Sequence, residues 1–117
     1  MDWVKKLKET SKGRAVLVEG KRDKQALSRF GIKNIFTLEG KRFSDLPDLL
    51  EGYSEVILLF DLDKEGERIK EKVKALLEPQ GYILIEDFRE DLRRMGVFYV
   101  EDINGEKLSY NSSSATG

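Results

Sequence analysis

The chain has 117 residues, a net charge of −1, 39% hydrophobic and 37% charged residues, and neither Cys nor His. That length allows one domain with a single core, and the missing residue types exclude disulfides, Cys/His zinc sites, thiolate nucleophiles and Ser-His-Asp triads. Chemistry is left to carboxylates, Lys, Arg, Tyr or a metal, on a charge-laced surface of the kind found in proteins from hot environments.

Trp3, Val4 and Leu7 make one short apolar helical stripe ending near Gly13. Ala15-Val16-Leu17-Val18 reads as a compact buried strand closed by Glu19-Gly20. Asp23 then caps a short helix through Ala26, Leu27 and Phe30 that stops at Gly31. Ile35-Phe36-Thr37-Leu38 is a second strand, again followed by Glu-Gly. A short helix around Pro47 carries Leu46, Leu49 and Leu50 to Gly52, and Val56 to Phe60 is the third strand. Gly66 to Leu77 is the clearest helix, with Ile69, Val73, Leu76 and Leu77 on one face. Glu78-Pro79-Gln80-Gly81 breaks it, and Tyr82 to Ile85 is a fourth strand. Residues 88–95 form a helix ended by Gly96, and Val97 to Val100 is an edge strand or an extended segment. The stretch from Asn111 to Gly117 reads as a disordered tail without functional weight. No apolar run approaches the roughly 20 residues needed to span a bilayer, and Met1-Asp2-Trp3-Val4-Lys5-Lys6 lacks a signal-peptide core. A cytoplasmic protein with no membrane partner is expected.

Strands alternating with helices predict an α/β fold, a parallel sheet covered on both faces. Ligands in such folds sit at the carboxyl ends of the strands. Glu19, Glu39 and the run Asp61-Leu62-Asp63-Lys64-Glu65-Gly66-Glu67 all fall at such ends. Stability gives no reason to crowd like charges there, whereas oxygen-only ligands at a strand end suit Mg²⁺. If strand geometry persists to Asp63, the Asp61 and Asp63 carboxylates project to one side, ~6–7 Å apart, and Leu62 turns back to the core. Glu65 and Glu67 are read either as reaching the metal or as ordinary acids of a helix first turn. Glu19 is read as a site carboxylate, with a capping partner for the next helix as the alternative.

Residues 1–24 hold eight Lys or Arg against four acids, a local net of +4. This is either a solvated face plus a loop or a patch that holds phosphates. Gly20 would allow close approach of a backbone or phosphate, with Lys21, Arg22 and Lys24 supplying positive charge beside it. Glu-Gly-Lys-Arg recurs at 19–22 and 39–42, which is read as coincidence in so charged a chain rather than as a duplicated unit.

Val18-Glu19-Gly20, followed some forty residues on by Phe60-Asp61-Leu62-Asp63-Lys64-Glu65-Gly66-Glu67, resembles the Toprim domain. That domain is shared by type IA topoisomerases, DnaG-type primases, OLD-family nucleases, RecR and the 5S ribosomal RNA maturase. The resemblance covers roughly residues 14–90 and implies a Rossmann-like three-layer fold around an about four-stranded, mainly parallel sheet. It implies that Glu19 is a general acid/base or metal ligand, that Asp61 and Asp63 bind Mg²⁺ (with Mn²⁺ as a substitute), and that Glu65 is a further acidic position. Lys21 and Arg22 match no catalytic position of the family. The nucleophilic tyrosine domain of the topoisomerases and the zinc-binding region of the primases have no counterpart, so the resemblance points to a small stand-alone Toprim protein. The expected organisation is an N-terminal helical segment (1–13), a Toprim domain (14–101) and a C-terminal extension (102–117).

Two functions follow. The first is a Mg²⁺-dependent nuclease, a phosphodiesterase in which Glu19, Asp61 and Asp63 carry catalysis and Gly20, Lys21, Arg22 and Lys24 hold the nucleic acid, with RNA favoured over DNA. The second is a non-catalytic, Mg²⁺-dependent nucleic-acid-binding module serving a larger protein complex. Primase-like nucleotidyl transfer ranks third.

Overall fold

The computed structural model describes residues 2–103; the predicted tail lies outside them. Four strands, β1 (Ala15–Val18), β2 (Ile35–Thr37), β3 (Glu55–Leu58) and β4 (Ile83–Ile85), form one sheet in the order β2-β1-β3-β4, with every pairing parallel. Parallel strands need crossovers, and helices supply them. Helices α2 (Lys21–Ser28), α3 (Leu46–Leu49) and α4 (Lys64–Leu77) lie in the crossovers, while α1 (Trp3–Thr10) precedes β1 and α5 (Asp87–Arg94) follows β4. No helix among the described residues is long and apolar enough to cross a membrane.

The period-two alternation of the strands splits the core into two layers. Val16, Val18, Ile57 and Leu59 face a cluster with Trp3 and Leu7 of α1, Leu27 of α2 and Phe88 and Leu92 of α5. Ala15, Leu17, Val56, Leu58 and Phe60 face the other way, against Leu46 and Leu50 at α3 and Val73 and Leu77 of α4. The central strands are apolar on both faces because both faces are covered. Trp3 pins α1 to α5: its indole Nε1 donates to the Phe88 carbonyl at 3.0 Å, and its ring meets Phe88 edge-on at 5.9 Å. This α/β three-layer fold is the one expected.

Several local expectations need correction. Gly20, not Asp23, is the N-cap of α2; Asp23 sits at the third helical position and accepts the Gly20 N–H at 3.1 Å. The β3 ladder ends at Leu58 and the chain bends at 62–63; helix α4 begins at Lys64, two residues before Gly66, because Asp63, itself extended in backbone, caps it by accepting the Gly66 N–H at 2.7 Å. Strand geometry therefore does not run on to Asp63. Residues 97–99 form the extended segment rather than a fifth strand, followed by a 3-10 turn, Val100–Asp102.

The strand order fixes where a ligand belongs. From β1 the chain moves to β2 on one side, then crosses to β3 on the other. The crevice beyond β1 and β3 is the topological switch point, where open α/β sheets bind ligands.

Candidate functional site

Glu19 leaves the end of β1 and Asp61 follows β3, so the switch point brings them together. Glu19 Oε2 accepts the Asp61 backbone N–H at 2.8 Å across the crevice. Asp61 Oδ1 in turn accepts the Val100 N–H at 2.8 Å, and the Leu62 N–H donates to the Phe98 carbonyl at 2.7 Å. The extended segment thus lies along the Asp61 turn and fixes its carboxylate. Glu19 takes its backbone partner from the turn after the third strand, and the capping role weighed for it falls instead to Asp23 and to Glu39, whose Oε1 accepts the Lys21 N–H at 2.9 Å.

A cleft of about 680 Å³ opens here, with Glu19, Gly20, Lys21, Arg22, Asp61 and Glu65 on its walls beside Asp23, Glu39 and Glu101. Asp63 and Lys24 are not on its lining. Asp63 faces its helix cap, and Lys24 opens onto the neighbouring face of α2. Gly20 has extended backbone, and a Cβ there would stand 3.0 Å from Glu39 Oε1. The close approach expected of Gly20 is therefore to a carboxylate of this chain.

Burial sets the electrostatics. Asp23 is only 6% exposed; burial first, then the Asp61 charge, pushes its carboxyl up to about 6 against the pull of the Gly20 N–H. Burial also raises Glu19, opposed by the Asp61 N–H and reinforced by the charges of Asp61, Asp23 and Asp63. Asp61 rises for the same first reason, with the Val100 N–H opposing and Asp63, Glu101 and Asp102 adding. None of Glu19, Asp23, Glu39, Asp61 or Asp63 is ion-paired among the described residues.

The other two acids of the motif are neutralised. Glu65 bonds Arg68 through both of its oxygens, which holds its carboxyl below the usual range. Glu67 turns away from the cleft to Arg89 (2.6 Å), Lys70 (3.2 Å) and Arg93 (3.4 Å). Burial pushes Glu67 up, but the Arg89 and Lys70 contacts outweigh it and the net direction is down.

Arg89 is the residue sequence reasoning missed. It is fully buried and reaches from α5 to donate Nε–H to the Phe60 carbonyl and Nη2–H to the Asp61 carbonyl, both at 2.8 Å. Its Nη1 makes no directed hydrogen bond and is held by the ion pair to Glu67. A lone Arg three residues from Leu92, on the apolar face of a helix, was the available signal. Gly66 was legible only as a helix start. A Cβ there would lie 1.8 Å from the Asp61 carbonyl oxygen, so the turn closes only over glycine.

The donor set fits a hard divalent cation. It is oxygen-only, half-buried and makes no ion pair among the described residues. Glu19, Asp61 and Asp63 each give one oxygen to a backbone N–H and keep the other free of protein partners among the described residues. No three carboxylates among the described residues already converge at ligating distance, so ligation would require side-chain rotation.

The Toprim domain family profile matches residues 14–88. The chain is 31% identical over 104 residues to a UPF0292 protein of Thermococcus onnurineus, covering 86% of this chain and 78% of that protein. It is 34% identical over 106 residues to a UPF0292 protein of Thermococcus kodakarensis, with the same shares of 86% and 78%. Among solved structures, a putative protein from Aquifex aeolicus superposes with a TM-score of 0.83 at 51% identity, covering 86% of this chain and 94% of that one. The crystal structure of the Aquifex aeolicus primase (zinc-binding and RNA polymerase domains) superposes with a TM-score of 0.50 at 26% identity, covering 82% of this chain and 26% of that one. With the strand order, the Glu19 strand end and the Asp61-Asp63 turn all in agreement, the chain belongs to the Toprim domain family.

Proposed function

We propose that this protein is a Mg²⁺-dependent phosphodiesterase acting on nucleic acid, with RNA the favoured substrate and residues 14–101 as the working unit. The observation that carries the reading is the pair Glu19 and Asp61: two half-buried carboxylates held at the switch point by the Asp61 backbone N–H donating to Glu19, neither in an ion pair among the described residues, with Lys21 and Arg22 on the same cleft. Family membership and the likeness to a primase structure support nucleic acid over other phosphate esters.

Asp61 and Asp63 would hold Mg²⁺ or Mn²⁺, with Glu19 as a third ligand or the proton carrier and Glu65 within reach of the cleft. Such an ion supplies Lewis acidity and charge neutralisation at the scissile phosphate. The chain's own contributions are distinct. Lys21 and Arg22 attract and orient the phosphate backbone at the mouth of the cleft. Burial raises the Glu19 carboxyl above its ordinary range, which favours it as the group that takes up and returns a proton, a task that no His is present to perform. The Val100 N–H and the Arg89 clamp fix the direction of the Asp61 carboxylate.

A second reading has an observation of its own. Because the carboxylates do not yet converge, the domain could use the ion only to grip phosphate, as an accessory module in a nucleic-acid-processing complex. The deciding experiment incubates labelled structured RNA, single-stranded DNA and duplex DNA with the protein in Mg²⁺ or Mn²⁺, beside Glu19→Gln and Asp61→Asn/Asp63→Asn. Products that fall by about 10²–10⁴-fold in Glu19→Gln and vanish in the double variant establish the nuclease and name its substrate. Metal-enhanced binding with no product from any substrate establishes the module.

A further inference from the structure

The carboxylate cleft adjoins a second cavity. It measures about 600 Å³, shares Lys21 and Gln25 with the first, and is otherwise lined by Lys24, Ser28 and Arg29. These five positions recur at helical spacing along α2 and its C-cap, and so present one continuous face. The opposite face of α2 buries Asp23, Ala26 and Leu27.

The chemistry of the outer face is uniform. Lys21, Lys24 and Arg29 have no acidic partner among the described residues. Arg22, on a different side of the helix, leans to Glu101 at 4.0 Å. Between the cations stand two neutral groups, the Gln25 amide and the Ser28 hydroxyl, which can donate to phosphate oxygens without adding charge. From Lys21 to Ser28 the helix rises ~10 Å, long enough to run beside more than one phosphate of a strand.

We propose that this face of α2 is a phosphate track for the strand that enters the carboxylate cleft. Lys21 stands at the junction, and Lys24, Ser28 and Arg29 hold the phosphates further from the scissile bond. The inference rests on the nucleic-acid reading of the cleft and assigns Gln25, Ser28 and Arg29 to it. It also moves Lys24 from the cleft to the flanking track. A row of evenly placed donors beside an acidic cleft suits a polyanion that continues past the reacting phosphate; an acidic peptide has no group for the cleft to act on.

The test is fluorescence anisotropy of a labelled single-stranded oligonucleotide with the full chain, in EDTA so that nothing is cleaved, across a salt series. Lys24→Ala/Arg29→Ala removes two exposed side chains and leaves the core intact. Losing two phosphate contacts at a slope of about 0.7 each predicts a salt slope shallower by about 1.4 and binding about 25-fold weaker at 0.1 M salt. The Mg²⁺-induced change in melting temperature should be unchanged, and Lys5→Ala/Lys33→Ala should bind like the parent. Parent-like affinity and slope in Lys24→Ala/Arg29→Ala would overturn the track and leave the cleft reading standing. So would displacement of the oligonucleotide by polyglutamate of equal charge at equal concentration. A parent protein that binds no oligonucleotide in EDTA would overturn the track, and one that also neither binds nor cleaves nucleic acid in Mg²⁺ would overturn the cleft reading with it.

Discussion

Asp63 and Glu67 stand four residues apart at the start of α4, yet their surroundings differ. Around Glu67 every charge is answered: Arg89, Lys70 and Arg93 converge on it, and Lys70 and Lys74 reach on to Glu86 at 3.6 and 2.9 Å. Around Asp61 and Asp63 the carboxylates of Glu19 and Asp23 gather without an ion pair among the described residues, and burial raises three of them. The first cluster is an internal brace between α4 and α5. The second is a store of unfavourable charge, which a cation would relieve.

Breaking the brace should have the largest effect. Arg89→Met strips the Phe60 and Asp61 carbonyls of buried donors and leaves Glu67 without its nearest partner, at a cost of about 3–4 kcal/mol. Gly66→Ala attacks the same turn sterically, since its Cβ has no room against the Asp61 carbonyl, and should cost about 3 kcal/mol or more. Urea unfolding midpoints measure both; a parent-like midpoint for Arg89→Met would mean that the Asp61 turn stands without its brace.

The unanswered cluster should respond in the opposite sense. The Asp23 carboxyl titrates near 6 in the folded chain, against 3.8 for an unperturbed Asp. Between these values the folded state keeps a proton that the unfolded state releases, so in metal-free buffer stability falls as pH rises through this window. Asp23→Asn, whose amide oxygen can still accept the Gly20 N–H, should match the parent below pH 4 and exceed it by about 2–3 kcal/mol above pH 7. Equal midpoints for the two proteins at pH 8 would contradict the view that Asp23 carries a burial penalty. The smallest effect belongs to Glu65→Ala: its partner Arg68 is solvent-exposed, so the melting temperature should not move.

How much of this was legible follows from the range of each contact. The central strands showed as apolar runs because burial on both faces leaves no polar position from Ala15 to Val18 or from Val56 to Leu58. Glu19 and Asp61 could be paired because the alternation of strands and helices implies a parallel sheet whose carboxyl ends share an edge. The Asp63 cap carried a local signal, an acid just ahead of a helix, but reading the carboxylates as a strand-borne pair overrode it. Arg89 could not be placed, because its partners lie 28 and 29 residues upstream and only the packing of α5 brings them within reach. The crowding at Gly66 depends likewise on where the Asp61 carbonyl points. Local patterns therefore named Glu19 and Asp61, while the groups that aim them came from tertiary structure.

A divalent cation at the carboxylates after β1 and β3, which make no ion pair among the described residues, is the proposal on which the rest depends. The most direct test is the melting temperature of the parent and of Asp61→Asn/Asp63→Asn, each in EDTA and in millimolar Mg²⁺. Asn retains the Val100 acceptor and caps a helix as well as Asp, so the variant should melt above the parent in EDTA. Adding Mg²⁺ should then raise the parent by mass action and leave the variant where it was. Equal Mg²⁺-induced rises in both proteins, or a variant that melts below the parent in EDTA, would contradict the account.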